Sequence, residues 1–511
     1  MIVVTTAEMR ELDRITIEEL GLPGALLMEH AGRSLAEEVA RGLSAPARVA
    51  VCCGPGNNGG DGYSCARWLR ERGHAVRVYL CAARPRLGSD AALHLAAFER
   101  FGGQVVDVTT ADALGRARDE IWNADVIVDA LLGTGLRSEV RGYLAEVIAF
   151  LNQSSAPKIC ADVPSGINSD TGQVLGIAVD AHRTVTFGFA KLGLVSWPGC
   201  ERVGELRVAD IGIPRSHAER VGAKRCLLDK DHVRRLLPRR PRGGHKGTFG
   251  HVLVVAGSRG KTGAALLCAE GALRGGAGLV TCAVPPSVHP QLEGRVREAM
   301  CAELDHDLPS AEGLAALAAL ATGKDALAWG PGIPVTPRAR ELVRHAVSAI
   351  EVPMVLDADA LNHLEGHVPV LRAARVPVVL TPHPGEAARL LGVSVADVQA
   401  DRVSAAERLS AASGATVVLK GARTVVAEPG GRVAINPTGN PGMGTGGTGD
   451  VLCGLVAALI GQGLPPFDAA CVGVHAHGLA GDVARDQLGE MGLMAGDLLS
   501  ALPGVLRGLS E

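Results

Sequence analysis

Short apolar runs alternate with helical stretches along most of the chain, and this rhythm restricts it to one fold class. RVAVCCG (48–54), AVRVYLC (75–81), QVVDV (104–108), DVIVDALL (125–132) and KICADV (158–163) are too short for core helices. Near-continuous apolar runs of this length mark strands covered on both faces, and the helical segments between them supply the covering layers of a parallel sheet. The pattern resumes at HVLVVAGS (251–258), LVTCAV (279–284), DALAWGPGIP (325–334), PMVLDADALN (353–362) and VPVVLTPHPGEAARLL (376–391). An α/β protein with a doubly wound, Rossmann-like N-terminal sheet follows, and 511 residues are too many for one core. After GELRVADIGIP (204–214) the strand pattern stops and an Arg-, Pro- and Gly-rich stretch begins. That places a boundary near Arg215–Lys224 and divides the chain into 1–218 and 219–511.

Composition excludes several classes of function. A net charge of −3 provides no global field for a polyanion, and the basic cluster Arg234 to Lys246 has no interleaved aromatic before Phe249, so it reads as a solvated connector. The 12 cysteines lie mostly in apolar runs without a CxxC spacing, which indicates neither a disulfide framework nor a zinc site. No signal peptide and no run of about 18 apolar residues is present, so we expect a cytoplasmic protein with small-molecule substrates, no nucleic-acid or membrane partner, and self-association as a homo-oligomer. Lysines number eight, and those inside glycine motifs, Lys246 and Lys420, stand out.

Ligands on parallel sheets bind at the carboxyl ends of strands, and the unusual residues collect there. GPGNNGGDG (54–62) follows one strand and precedes a helix expected over Tyr63–Arg72; its glycines admit a pyrophosphate or ribose, and Asn57, Asn58 and Asp61 offer hydrogen bonds. DALLGTGLRSEVRG (129–142) and ADVPSGINSDTG (161–172) end two neighbouring strands, and Asp129 and Asp162 are acids that burial would penalise without a cation, donor or substrate.

In the second half, NPTGNPGMGTGGTGDVLCG (436–454) puts a glycine-rich loop and Asp450 before a long apolar helix. Gly444, Gly446, Gly447 and Gly449 lack a Cβ, so backbone N–H groups and the helix N-terminus can close on a phosphate while Asp450 takes the proton of an attacking hydroxyl. A Walker loop would carry Lys-Ser/Thr where this chain has Asp-Val, and GSRGKTG lacks its spacing, so we read that turn as a helix entry with Ala264 near the substrate. Gly332, Asp357 with Asn362, and His383 with Glu386 lie at further strand exits, and TVVLKGARTVVAE (416–428) reads as two strands joined at Lys420-Gly421.

Together NNGGD, DALLGTGLR and DVPSGINSDTG resemble the YjeF N-terminal domain, the NAD(P)H-hydrate epimerases, over roughly residues 1–215. GGHKGTFGH, TPHPGE and GNPGM…GGTGD resemble the ribokinase-like NAD(P)H-hydrate dehydratases over about 225–505. The first resemblance implies that Asn57, Asn58, Gly59, Gly60, Asp61, Gly133, Thr134, Gly135, Leu136, Arg137, Ser138, Glu139 and Asp162 line a hydrated nicotinamide nucleotide, and that Asn58, Asp129 and Ser165 hold potassium. Oxygen-only ligands suit such a hard cation. Asp162 is our candidate acid/base, because N1 of the hydrate can expel the C6 hydroxyl as water once an acid protonates it; ring opening and reclosure is a second route.

The second resemblance implies that Ala264, Gly332, His383 and Asp450 contact the hydrate, and that Lys420, Gly421, Ala422, Arg423, Thr424, Gly446, Gly447 and Gly449 hold ADP or AMP. Phosphoryl transfer from ADP or ATP with Mg²⁺ would make the C6 hydroxyl a good leaving group, and its departure would restore NADH or NADPH in a metabolite-repair reaction. A small-molecule kinase fused to a non-catalytic nucleotide-binding module is the alternative, and an RNA-handling or scaffold role for the first half is the other.

Overall fold

Parallel strands build the first unit, Met1–Arg225; the second is Cys226–Glu511. In this computed structural model residues 1–84, 87–295 and 297–511 are described. The strands of the first unit are β1 (Ile2–Val4), β2 (Arg48–Cys53), β3 (Ala75–Leu80), β4 (Gln104–Asp107), β5 (Val126–Ala130), β6 (Lys158–Ala161), β7 (Arg183–Phe187), β8 (Ala190–Lys191) and β9 (Glu205–Ala209). Seven of them pair in the order β4-β3-β2-β5-β6-β7-β9, every pair parallel. The chain leaves β2 toward one edge and β5 toward the other, so the winding reverses between these neighbours and opens a crevice at their carboxyl ends. Gly54 closes that end by donating to Ala130 O at 2.9 Å, where a Cβ would fall on the Leu131 carbonyl.

The helix after β2 departs from the sequence expectation. It spans Asn57–Glu71 and so begins six residues before Tyr63, taking the glycine-rich stretch into its first turns. The glycines serve close packing: Gly59 lies on the Gly54 carbonyl, Gly60 on Met28 Sδ, and Gly62 between Ala130 Cβ and Cys53 Sγ. A helix can seat on the strand end here because no side chain intervenes. The N-terminal helix Thr6–Arg14 is fixed by a capping box in which Thr5 Oγ1 accepts from Glu8 N and Glu8 Oε2 accepts from Thr5 N; a π-helical turn over Ile15–Glu19 continues it. β1 pairs parallel with β8, setting Val4 opposite Lys191.

A short strand, β10 (Arg225–Leu227), marks the division of the chain. The second unit contributes β11 (His251–Val255), β12 (Leu279–Val284), β13 (Met300–Glu303), β14 (Ala326–Trp329), β15 (Met354–Leu356), β16 (Val378–Leu380), β17 (Thr416–Leu419), β18 (Val425–Ala427) and β19 (Val433–Ile435). They run β13-β12-β11-β14-β15-β16-β17-β18-β19, parallel up to β17 and antiparallel from there. The two strands read from TVVLKGARTVVAE are β17 and β18, and β19 adds a third that the sequence pattern did not reveal. Helices Thr262–Arg274 and Thr448–Gly461 touch backbone to backbone, Gly454 against Cys268 O and Gly271 against Val451 O. The resulting core includes Val252, Val254, Val451, Leu455 and Val456. Among the described residues, no helix is long and apolar enough to cross a membrane.

Candidate active sites

The crevice of the first unit is a cavity of about 730 Å³. Of the residues expected around a nucleotide, Asn57, Asn58, Asp61, Gly133, Thr134, Gly135, Leu136, Arg137, Ser138 and Asp162 line it. Gly59 and Gly60 do not, because they are spent on the helix packing described above, and Glu139 instead pairs with Arg141 at 2.8 Å.

Asp162 follows β6 with φ +60°, a left-handed conformation that costs a non-glycine residue about 1–3 kcal/mol and is retained where the surroundings enforce it. The enforcing contacts fall on one oxygen. Asp162 Oδ1 accepts from Lys191 Nζ at 2.6 Å, Thr186 Oγ1 at 3.0 Å and Phe187 N at 3.3 Å. Lys191 is 1% exposed and also donates to Phe187 O at 2.7 Å. Sequence reasoning missed this lysine, although a single cation in the apolar segment FGFAKLGLV is costly without a partner and so signals one.

It also missed Asp13, which reaches the cavity from the helix Thr6–Arg14. Burial raises the Asp13 carboxyl to about 6, with Lys191 pulling down and Asp162 pushing up. Asp61 is raised well above the carboxylate range by burial first and by Asp162 next.

Of the oxygen set expected for potassium, Asp129 and Ser165 bond to each other and Asn58 is left unpaired. Both polar atoms of the Asn58 side chain are buried without a protein partner, and Asn58 lies against Gly133. Asp129, fully buried, accepts from Ser165 Oγ at 2.7 Å and from Ser165 N at 2.9 Å. An unpaired buried amide is a group whose hydrogen bonding an ion or water can complete.

In the second unit, the helix starting at Thr448 presents its first turn at the end of the glycine loop. Its first intrahelical bond is Val451 N to Gly447 O, which leaves the N–H groups of Thr448, Gly449 and Asp450 without helical partners. Gly444 is different: its amide is bonded to Pro441 O, so it is withdrawn from the expected cradle. Asp450 in the first turn is raised to about 7 by burial, then by the charges of Asp357, Asp359 and Glu386, against the pull of Lys420.

Lys420 occupies a more enclosed position than a free phosphate ligand would. Its Nζ donates to Asp357 Oδ1 at 2.6 Å, and Asp357 is 1% exposed. Burial disfavours the ammonium, but Asp357 and Glu386 outweigh this and raise its pKa. The turn behind it is held by Arg402, whose Nη2 donates to Leu419 O and Lys420 O. Gly421 and Arg423 take positive φ there, and Thr424 Oγ1 donates to Gly421 O.

A Cβ on Gly449 would stand 3.1 Å from Lys420 Nζ and 3.5 Å from Asp357 Oδ2. Gly449→Ala is therefore expected to push this pair aside and lower nucleotide-dependent turnover about tenfold with little change in melting temperature, measured as kcat/KM beside a thermal melt.

His383 caps the helix Pro384–Leu391, its Nδ1 accepting from Gly385 N at 3.0 Å, while Glu386 Oε2 accepts from His383 N at 2.8 Å. With Nδ1 engaged, the half-exposed ring has Nε2 3.5 Å from Glu386 Oε1, and burial, Lys420 and Arg389 lower its pKa. Ala264 and Gly332 are in contact, a Gly332 Cβ falling 3.1 Å from that of Ala264. Asn362 accepts from Arg389 Nη2 at 2.9 Å.

Comparison with known proteins places this geometry. A bifunctional NAD(P)H-hydrate repair enzyme of Moorella thermoacetica is 45% identical over 517 aligned residues, covering 100% of this chain and 98% of its own. The chain belongs to that family. The corresponding enzyme of Escherichia coli is 38% identical, covering 97% of this chain and 92% of its own. A family profile described as YjeF-related protein N-terminus matches residues 24–193, and one described as NAD(P)H-hydrate dehydratase matches 252–504. Among solved structures, an ADP/ATP-dependent NAD(P)H-hydrate dehydratase from Bacillus subtilis, co-crystallised with ATP and Mg²⁺, is 34% identical, covers 55% of this chain and 98% of its own, and has a TM-score of 0.49. The first matched span holds Asp162 and Lys191 but begins after Asp13; the second holds Asp357, Lys420 and Asp450.

Proposed function

We propose that the chain repairs hydrated nicotinamide nucleotides, the first unit interconverting the R and S forms of NADH or NADPH hydrate and the second dehydrating the S form at the expense of ADP or ATP. The observation that carries this reading is the full-length identity to the repair enzymes, together with an acid poised near 7 on a helix start whose amides have no helical partner.

In the second unit Asp450 accepts the proton of the C6 hydroxyl as its oxygen takes the phosphoryl group, and the amides from Gly446 to Asp450 neutralise the charge that moves. Lys420, held by Asp357, keeps a positive charge beside the cradle. Mg²⁺ bound with the nucleotide would supply further positive charge to the transferring phosphoryl group. The phosphate ester then leaves, driven by the N1 lone pair, and loss of the C5 proton restores the dihydronicotinamide. With ADP as donor the products are AMP, inorganic phosphate and NADH or NADPH.

In the first unit Asp162 exchanges a proton with the C6 hydroxyl, Asn57, Asp61 and the 133–138 turn hold the nucleotide, and Asn58, Asp129 and Ser165 would hold potassium. That ion would supply a fixed positive charge beside the buried Asp129. Function in the cytoplasm and assembly as a homo-oligomer complete the proposal.

The test is to give mixed-epimer hydrate with ADP, and separately with ATP, and follow reduced nicotinamide absorbance and phosphate. NADH and phosphate should appear in equal amounts until both epimers are consumed. A phosphorylated hydrate that accumulates without NADH would identify a kinase instead.

A further inference from the structure

By loss and return of water, epimerisation at C6 needs proton transfer on both faces of the ring. When the hydroxyl leaves from one face, a group on that face protonates it; when water returns to the other, a group there takes the proton. A single carboxyl serves both faces only if the substrate turns over, so the arrangement of acids around the cavity is informative.

Four carboxyls line the cavity, and they come from four different elements: Asp13 from the helix Thr6–Arg14, Asp61 from the helix Asn57–Glu71, Asp90 from the helix Ser89–Arg100, where it lies against Gly24, and Asp162 from the end of β6. Asp162 is fixed by its three donors on Oδ1, which leaves Oδ2 as the oxygen that can exchange a proton with substrate. Asp13 accepts no hydrogen bond from the protein among the described residues, yet it is half-buried and comes from a different element near enough to feel the charges of both Lys191 and Asp162. An acid left unclaimed by its own fold in a ligand cavity is available to substrate. Asp61 is more deeply buried, 9% exposed, and is suited to remain a neutral hydrogen-bond donor.

Building on the epimerase reading above, we infer that Asp13 and Asp162 form a two-carboxyl relay, each serving one face of the hydrated ring. In one direction Asp13 protonates the leaving hydroxyl, the C6–O bond breaks and the N1 lone pair forms the C6=N1 iminium. Water then adds to C6 from the Asp162 face, returning the π pair to N1, and gives its proton to Asp162 Oδ2. Asp13 ends deprotonated and Asp162 protonated, and cavity water resets both. The reverse reaction uses each group in the opposite role. Burial that holds Asp13 near 6 fits a group that must both give and take a proton near neutrality.

The experiment uses the full chain and each purified epimer with heavy oxygen at the C6 hydroxyl, corrected for the rate without enzyme. Wild type should exchange the label of both epimers while interconverting them. Asp13→Asn should slow interconversion at least about 100-fold while one epimer still exchanges its label within about tenfold of wild type, since loss and return on the Asp162 face survive. Asp162→Asn should show the opposite choice of epimer.

An Asp13→Asn chain that interconverts at the wild-type rate, or exchanges both epimers equally, overturns the relay. So does a chain that melts as wild type but exchanges neither; if Asp13→Asn melts early, Asp13→Ser is read by the same criteria. Should Asp61→Asn or Asp90→Asn alone give the one-epimer pattern, that residue is the second carboxyl and the assignment falls. A wild-type chain that interconverts nothing refutes the epimerase reading itself, a result distinct from all of these.

Discussion

Asp450→Asn should lower NADH recovery from S-hydrate by about 10²–10⁴-fold while interconversion of the epimers continues at the wild-type rate. The substitution keeps the side chain's size and removes only its ability to take a proton. The sites draw on residues of different units, so the loss should not spread to the first. The same group sets the pH dependence. With its pKa near 7, Asp450 is mostly protonated below neutrality and cannot act as a base, so dehydration in wild type should rise roughly tenfold per pH unit up to about 7 and then level. The residual activity of Asp450→Asn should lack that rise. Chromatography of both epimers together with nicotinamide absorbance over a pH series measures both effects, and a wild-type profile flat through neutrality would falsify the assignment of Asp450 as the base.

The two units reach a related electrostatic solution from unlike parts. In each, a lysine pairs at 2.6 Å with one acid, the buried Lys191 with Asp162 and the half-buried Lys420 with the buried Asp357. A neighbouring acid that lacks this partner is then raised, Asp13 to about 6 and Asp450 to about 7. Acids set apart in this way are the condition for proton transfer at neutral pH. The pairing also explains why neither lysine reads from geometry as a simple phosphate contact: each is committed to a carboxylate before ligand arrives.

Much of this was legible in the sequence because it is local. Apolar runs of four to eight residues give strands, and the loops after β2, β5 and β6 collect at one sheet edge by the rule of parallel winding. The features that escaped are non-local. Lys191 finds Asp162 across 29 residues, and Lys420 finds Asp357 across 63. No spacing rule announces either.

The glycines of GPGNNGGDG read as a loop because glycine is a poor helix former, yet contact with Gly54, Met28 and Ala130 outweighs propensities of about 1 kcal/mol per residue. His383 shows a further ambiguity. A histidine before Pro-Gly-Glu serves as a helix cap and still leaves about half of its side chain exposed, so a structural role does not exclude contact with substrate.

Lys191→Met should abolish epimerisation, by at least about 100-fold, and also weaken the first unit. The lysine side chain is 2% exposed and Asp162 14%, so removing the ammonium strands a carboxylate close to two other acids. Breaking such a buried pair from one side costs about 3 kcal/mol, the low end of the usual range because Asp162 keeps some contact with solvent. For a unit of this size that corresponds to a fall in melting temperature of about 6–12 °C. Lys191→Arg should not restore activity, because the slot is shaped by Thr186 Oγ1 at 3.0 Å and Phe187 O at 2.7 Å around a single nitrogen, with no room for a planar fork. Dehydration of pure S-hydrate by the same variant, measured where the first unit is still folded, should match wild type. Calorimetry of the full chain, read with both activities, checks the prediction; an unaltered transition with intact epimerisation would mean that Asp162 does not depend on this cation.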